Sequence, residues 1–199
     1  GRDAPRSARI ETFLSRMRAM KPHIESITFH GYEALRLNGP RGAQAVVSRF
    51  GGQVLSWTPS DGRERLYLSE RAIFDGREPI RGGIPVCFPQ FSSQGGLPKH
   101  GFVRCKPWQV TAQRCGDDYA LVTLLTEDDA ATHALWSHSF ELELTVMLEA
   151  DTLDLELGLS NTGEEALTFT GALHTYLQVD AIENVRLSGL CGTNYRDSA

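Results

Sequence analysis

Three short stretches of the chain concentrate side chains that can bind anions or move protons. The first runs Arg81-Gly82-Gly83-Ile84-Pro85-Val86-Cys87-Phe88-Pro89. A guanidinium offers forked donors to an oxyanion, and paired glycines let the backbone approach a ligand closely. Alone the triplet is weak, because a solvated loop arginine is the ordinary case. The second stretch, Leu97-Pro98-Lys99-His100-Gly101-Phe102-Val103-Arg104, gathers three basic side chains around one glycine. A strand beginning near Phe102 would place Phe102 and Arg104 on one face, which suits a pocket rim better than a core. His100 reads equally well as a hydrogen-bonded loop residue. The third stretch is Thr168 to Val179, where His174 interrupts a largely apolar, strand-like run. An imidazole titrates near neutrality and suits proton transfer, yet a lone histidine on such a run is commonly a satisfied core residue. The residues alone leave both readings of His174 open.

The elements that must position these stretches are short strands. Ile27–Phe29, Ala34–Leu37, Ala43–Arg49, Gln53–Trp57 and Leu66–Leu68 are rich in strand-forming residues and separated by turn residues. Phe140, Leu142, Leu144, Val146 and Leu148 alternate with polar residues, and Leu153, Leu155, Leu157 and Leu159 repeat the pattern after a turn at Glu149-Ala150-Asp151-Thr152. That spacing predicts a half-buried antiparallel hairpin, with Glu141, Glu143 and Glu156 on the solvent face. Further strands are expected at Leu167–Thr170, Leu173–Val179 and Val185–Leu187. Residues 69–99 form the longest irregular stretch, and its Ile84, Val86, Phe88 and Phe91 predict an ordered loop. Before Pro22, the apolar residues Ile10, Phe13, Leu14, Met17 and Met20 recur at helical steps. An amphipathic helix is therefore expected ahead of an all-β sandwich or barrel, and a parallel α/β sheet is excluded.

At 199 residues the chain is long enough for one domain. Its hydrophobic and charged fractions, 41% and 23%, are those of an ordinary soluble globular protein. A net charge of -5 argues against a nucleic-acid partner, and no apolar run reaches the roughly 18 residues of a membrane span. Cys87, Cys105, Cys115 and Cys191 are scattered without zinc spacing, which fits reduced thiols in a cytoplasmic protein. No signal peptide is visible, and the first residue is Gly1 rather than Met.

In order, Arg81–Pro89, Leu97–Arg104 and Ala172-Leu173-His174-Thr175-Tyr176 resemble the signature stretches of the hexose-6-phosphate mutarotases, within the aldose 1-epimerase family. Gly51–Trp57, Leu66–Ser69, Asn184–Leu190 and Tyr195–Asp197 agree with it, so the resemblance extends from Ile27 to Asp197. It implies a large antiparallel β-sandwich of the galactose mutarotase-like kind, incomplete here, over residues 23–199 behind a helical extension at 1–22. It implies a glucose-6-phosphate 1-epimerase without metal or organic cofactor, monomeric at full length, with no nucleic-acid or membrane partner. His174 would be the general acid that protonates the ring oxygen. Arg81 and Arg104 would hold the substrate phosphate, and Asp197 the sugar hydroxyls. Lys99 stands at a substrate-contact position where relatives can have glutamine, a departure whose charge suits phosphate. His100 belongs to the motif with a less defined role. The family's general base is a glutamate on a later strand, and this sequence stops at Ala199 before that region. The expectation is therefore a truncated mutarotase, a proteolysed fragment or a natural short homologue, with turnover greatly weakened if nothing else supplies the base. The alternatives are a non-catalytic sugar-phosphate-binding module, or an epimerase of unphosphorylated sugars.

Overall fold

Alternating side chains build two four-stranded antiparallel sheets that share one core. The structure, a computed structural model, describes residues 21–194. The expected helix before Pro22 and the stretch Tyr195–Asp197 lie outside the described residues. The first sheet has the order β1(His23–Phe29), β2(Tyr32–Asn38), β3(Gln44–Ser48), β4(Val54–Thr58). The second has β6(Gln109–Cys115), β7(Ala120–Glu127), β8(Phe140–Leu148) and β9(Leu153–Asn161), each paired with its neighbour in sequence. Between them in the chain, β5(Val86–Cys87) pairs with β10(Ala172–Leu173) in a two-stranded sheet. Among the described residues, no helix is long and apolar enough to cross a membrane.

Each sheet turns one face inward. Leu35, Leu37, Ala45, Val47 and Val54 of the first meet Val122, Leu124, Leu142, Leu144 and Val146 of the second in one buried cluster. Alternation puts Ala34, Val46 and Leu55 on the opposite face of the first sheet. There they are covered by Ile80, Leu68, Ala72 and Phe74 of the following loop. The loop therefore packs as a lid on the sheet, and the expected order of residues 69–99 is observed. The predicted hairpin is β8–β9, in register from Phe140 opposite Asn161 to Leu148 opposite Leu153. Glu141, Glu143 and Glu156 are exposed on its outer face, as expected.

Several elements differ from expectation. The predicted strand at Leu66–Leu68 is two isolated bridges, Leu66 to Leu177 and Leu68 to Gly82. The expected strand beginning near Phe102 is instead a 3-10 turn, Val103–Cys105, so Phe102 and Arg104 do not share a strand face. Of the strands expected after Asn161, only the short β10 forms. Leu177, Ile182, Leu187 and Leu190 stand exposed there. Three strands, β5, β6 and β7, and one α-helix arise where no element was expected. β6 is an edge strand exposed at five of its seven residues, and β7 is a largely apolar run between two neighbours. Helix α1(Ala130–Leu135) is set by a reciprocal cap, in which Asp129 accepts from Thr132 N–H and the Thr132 hydroxyl accepts from Asp129 N–H.

Candidate functional site

Glycine at three positions draws the site-bearing segments together. Gly82 and Gly83 both adopt positive φ. A Cβ on Gly82 would lie 2.5 Å from the Tyr67 carbonyl oxygen, and one on Gly83 would lie 2.1 Å from that of Val54. The pair was expected to admit a ligand, but what it admits is the protein's own backbone. Gly83 N–H donates to Tyr67 (2.8 Å), Ile84 N–H to Val54 (2.8 Å), and the Gly83 carbonyl accepts from Tyr176 N–H (2.9 Å). The buried Gln53 amide closes the back of this segment, donating to the carbonyls of Gly82 (2.6 Å) and Ile80 (3.1 Å). Gly101 works the same way at φ +70, where a Cβ would lie 2.0 Å from the Phe88 carbonyl oxygen.

These contacts shape a cleft of about 490 Å³ whose wall includes Arg81, Lys99, His100 and Arg104. Four of the six expected site residues thus converge. His174 is not among the wall residues but touches two that are. Its ring is stacked on Tyr176 at 4.8 Å and 26°, and meets His100 edge-on at 5.5 Å and 90°. Phe91 flanks both imidazoles, at 5.2 Å from His100 and 6.3 Å from His174. His174 is held there by β10 pairing with β5 and by its N–H donating to Pro85 (3.0 Å). Asp197 lies outside the described residues. Three further wall residues, Arg71, Glu78 and Tyr176, were not singled out from sequence. Tyr176 lies within the Ala172–Tyr176 motif and was legible there, whereas Arg71 and Glu78 carry no local signal.

The geometry assigns a protonation state to His100. Its Nδ1 accepts from the Ser92 backbone N–H at 3.2 Å, a group that can only donate. In the neutral ring the proton therefore sits on Nε2. Burial pushes the His100 pKa down, and the charges of Arg104, His174 and Lys99 push it the same way. His100 is thus a neutral Nε2–H donor rather than a base. The residue itself is pinned at φ +67, with its N–H donating to the Ser92 carbonyl at 2.9 Å.

Arg104 donates through Nη2 to the Lys99 carbonyl at 2.6 Å, while its buried Nε finds no protein partner. The neighbouring Cys87 thiol is pushed up to about 11 by burial, which keeps it protonated and inert. All four cysteines are free. Among the described residues, no three His, Cys, Asp or Glu side chains gather as a metal site would require. The wall carries four cationic side chains, Arg71, Arg81, Lys99 and Arg104, against one carboxylate, Glu78. Such a surface can bind an anion, with the His100 imidazole on the wall and the His174 imidazole packed against it.

Comparisons with known proteins match the chain as a whole. The profile of the family described as aldose 1-epimerase matches residues 33–199. A protein of Cenchrus ciliaris, provisionally named a glucose-6-phosphate 1-epimerase, is 36% identical over 176 residues, covering 84% of this chain and 54% of that protein. The crystal structure of a provisionally named mutarotase from Salmonella typhimurium superposes with TM-score 0.70 at 32% identity, over 78% of this chain and 52% of the other. A galactose mutarotase-like protein from Clostridium acetobutylicum has the same TM-score of 0.70 at 19% identity, over 82% and 56%, a likeness of fold alone. The chain spans about half the length of the curated relatives it matches.

Proposed function

Because the chain belongs to the aldose 1-epimerase family, we propose that it carries the anion-binding and acid side of a hexose-6-phosphate 1-epimerase site. The observation behind this reading is the cleft whose wall carries four cations, one carboxylate and His100, with His174 packed against His100 and Tyr176 of that wall. A neutral sugar calls for no such charge, whereas a phosphate monoester brings close to two negative charges and strong acceptor oxygens. Arg81, Lys99 and Arg104 would hold the phosphate. Fixing that end orients the ring toward the imidazoles.

Anomer exchange then needs two proton transfers. An acid protonates the ring oxygen while a base takes the proton of the C1 hydroxyl, and the C1–O5 bond opens to an aldehyde. Rotation about C1–C2 and closure with acid and base exchanged give the other anomer. His174 is the acid in this reading, its ring kept in place by Tyr176. His100, a neutral donor, would hydrogen-bond a sugar oxygen. The base of this reaction is not assigned to any described residue.

Exchange NMR on equilibrated glucose-6-phosphate tests the reading. The expected result is faster interconversion of the anomers in the presence of the chain, abolished by His174→Ala. If the folded chain binds glucose-6-phosphate yet leaves exchange at the uncatalysed rate, the non-catalytic binding module replaces the enzyme for this chain. Equal affinity for glucose and glucose-6-phosphate would overturn the phosphate assignment.

A further inference from the structure

We infer that Arg71 is a fourth anion-contacting residue of the cleft, and that it strengthens the preference for a phosphorylated over an unphosphorylated sugar. The inference rests on the sugar-phosphate reading above and adds a residue that none of the sequence motifs marks.

Its position is set by hydrogen bonds to the Arg81 segment. Leu68 bridges Gly82, and the Ser69 N–H donates to the Arg81 carbonyl at 3.1 Å. Ser69 then closes a tight turn. Its hydroxyl accepts from the Arg71 N–H at 3.2 Å, and its carbonyl accepts from the Ala72 N–H at 2.9 Å. The backbones of Arg71 and Arg81 are thus tied to one another through a single residue, and both side chains line the same cleft.

The turn is also fastened to the domain. Ala72 and Phe74 pack on the outer cluster of the first sheet. The Phe74 ring stacks on His30 at 4.7 Å and 14°, with Tyr32 at 6.0 Å. Beyond it the Asp75 carboxylate accepts from the N–H groups of Arg77 and Glu78, both at 2.8 Å. Arg71 therefore projects from a wall built to a fixed shape, which lowers the cost of ordering its guanidinium on a ligand.

Its charge is left available. Outside the cleft, Arg36, Arg41, Arg49, Arg65 and Lys106 each pair with a carboxylate. Among the described residues, none of Arg71, Arg81, Lys99 and Arg104 makes an ion pair, although Glu78 shares their cleft. Four cations against a single carboxylate leave the wall with an excess of positive charge, and a doubly charged ligand offsets it.

The test is titration of the chain with inorganic phosphate and with glucose-6-phosphate, followed by calorimetry and by the arginine Nε–H signals in NMR. Arg71→Gln is expected to weaken both ligands about three- to tenfold, the range for a charge-assisted contact partly open to solvent. Arg77→Gln, on the same loop but not on the cleft wall, is expected to bind both as the unaltered chain does. In the unaltered chain the Arg71 Nε–H signal shifts on adding phosphate. Undiminished phosphate affinity in Arg71→Gln, with an unmoved Arg71 signal, overturns the inference while leaving the sugar-phosphate reading in place. Absence of phosphate binding by the unaltered chain overturns both.

Discussion

At the scale of single residues, the least expected result concerns His100. From sequence it was either a loop residue or a site residue; the structure shows a hydrogen-bonded loop residue that lines the cleft. Accepting from Ser92 N–H on Nδ1 leaves it no room to take a second proton without losing that bond. Burial is the largest cause of its lowered pKa, followed by the Arg104, His174 and Lys99 charges. The consequence for stability has a definite sign. The folded pKa lies below the ordinary 6.5, so the unfolded chain takes up this proton first as pH falls. The contribution of neutral His100 is complete above about 6.5 and is lost as pH drops from there toward the lower folded value. Urea midpoints of the unaltered chain and of His100→Gln, measured between about pH 7.5 and 5.5, isolate this term from the other histidines. The unaltered chain is expected to lose stability faster toward acid than the variant does. Parallel pH curves would show that His100 gains its proton as easily folded as unfolded.

At the scale of elements, the Arg-Gly-Gly segment shows what sequence can and cannot tell. Glycines beside an arginine were legible as a close approach, but the partner of that approach was not. It is β4, whose Val54 carbonyl a Gly83 Cβ would meet at 2.1 Å. Gly83→Ala should therefore destabilise the chain by on the order of 2 kcal/mol or more, because strain at φ +61 adds to collision with fixed backbone. Gly62, at φ +76 with open space around its would-be Cβ, carries only the strain. Gly62→Ala should cost about 1 kcal/mol. Chemical denaturation of both variants measures the difference, and equal losses would mean that the close approach relaxes freely. The hairpin β8–β9 was readable because one of its faces is buried and the other wet, which forces strict alternation. β6 was not, because an edge strand exposed on most of its length carries little apolar signal. The six residues of α1 are too few to show a period, and only the reciprocal cap of Asp129 and Thr132 marks it. The convergence of Arg71 with Lys99 and Arg104 depends on the loop folding back over the outer face of the first sheet, a non-local fact that no spacing records.

At the scale of the whole molecule, the cleft depends on a core far from it. Residues of both sheets form one buried cluster, and Phe88 belongs to it while its carbonyl accepts from the Phe102 N–H at 3.1 Å. Packing in the sandwich is thereby continuous with the segments that carry Arg81 and Arg104. Leu144 tests this linkage from the far side. It is fully buried on β8, opposite Leu124 of β7 and Leu157 of β9. Leu144→Ala removes three heavy atoms from a close-packed site and should cost about 2–5 kcal/mol, whereas Glu143→Ala on the outer face should stay within about 0.5 kcal/mol. A loss of that size is a large part of the 5–15 kcal/mol typical of a folded domain. If the sheets unfold as one body, urea transitions followed by tryptophan fluorescence, by β-sheet circular dichroism and by phosphate binding will coincide in the unaltered chain. All three will then move together in Leu144→Ala. Phosphate binding lost at distinctly lower urea than the sheet signal would instead separate the cleft from the core, and would make the loops over the first sheet an independently melting layer.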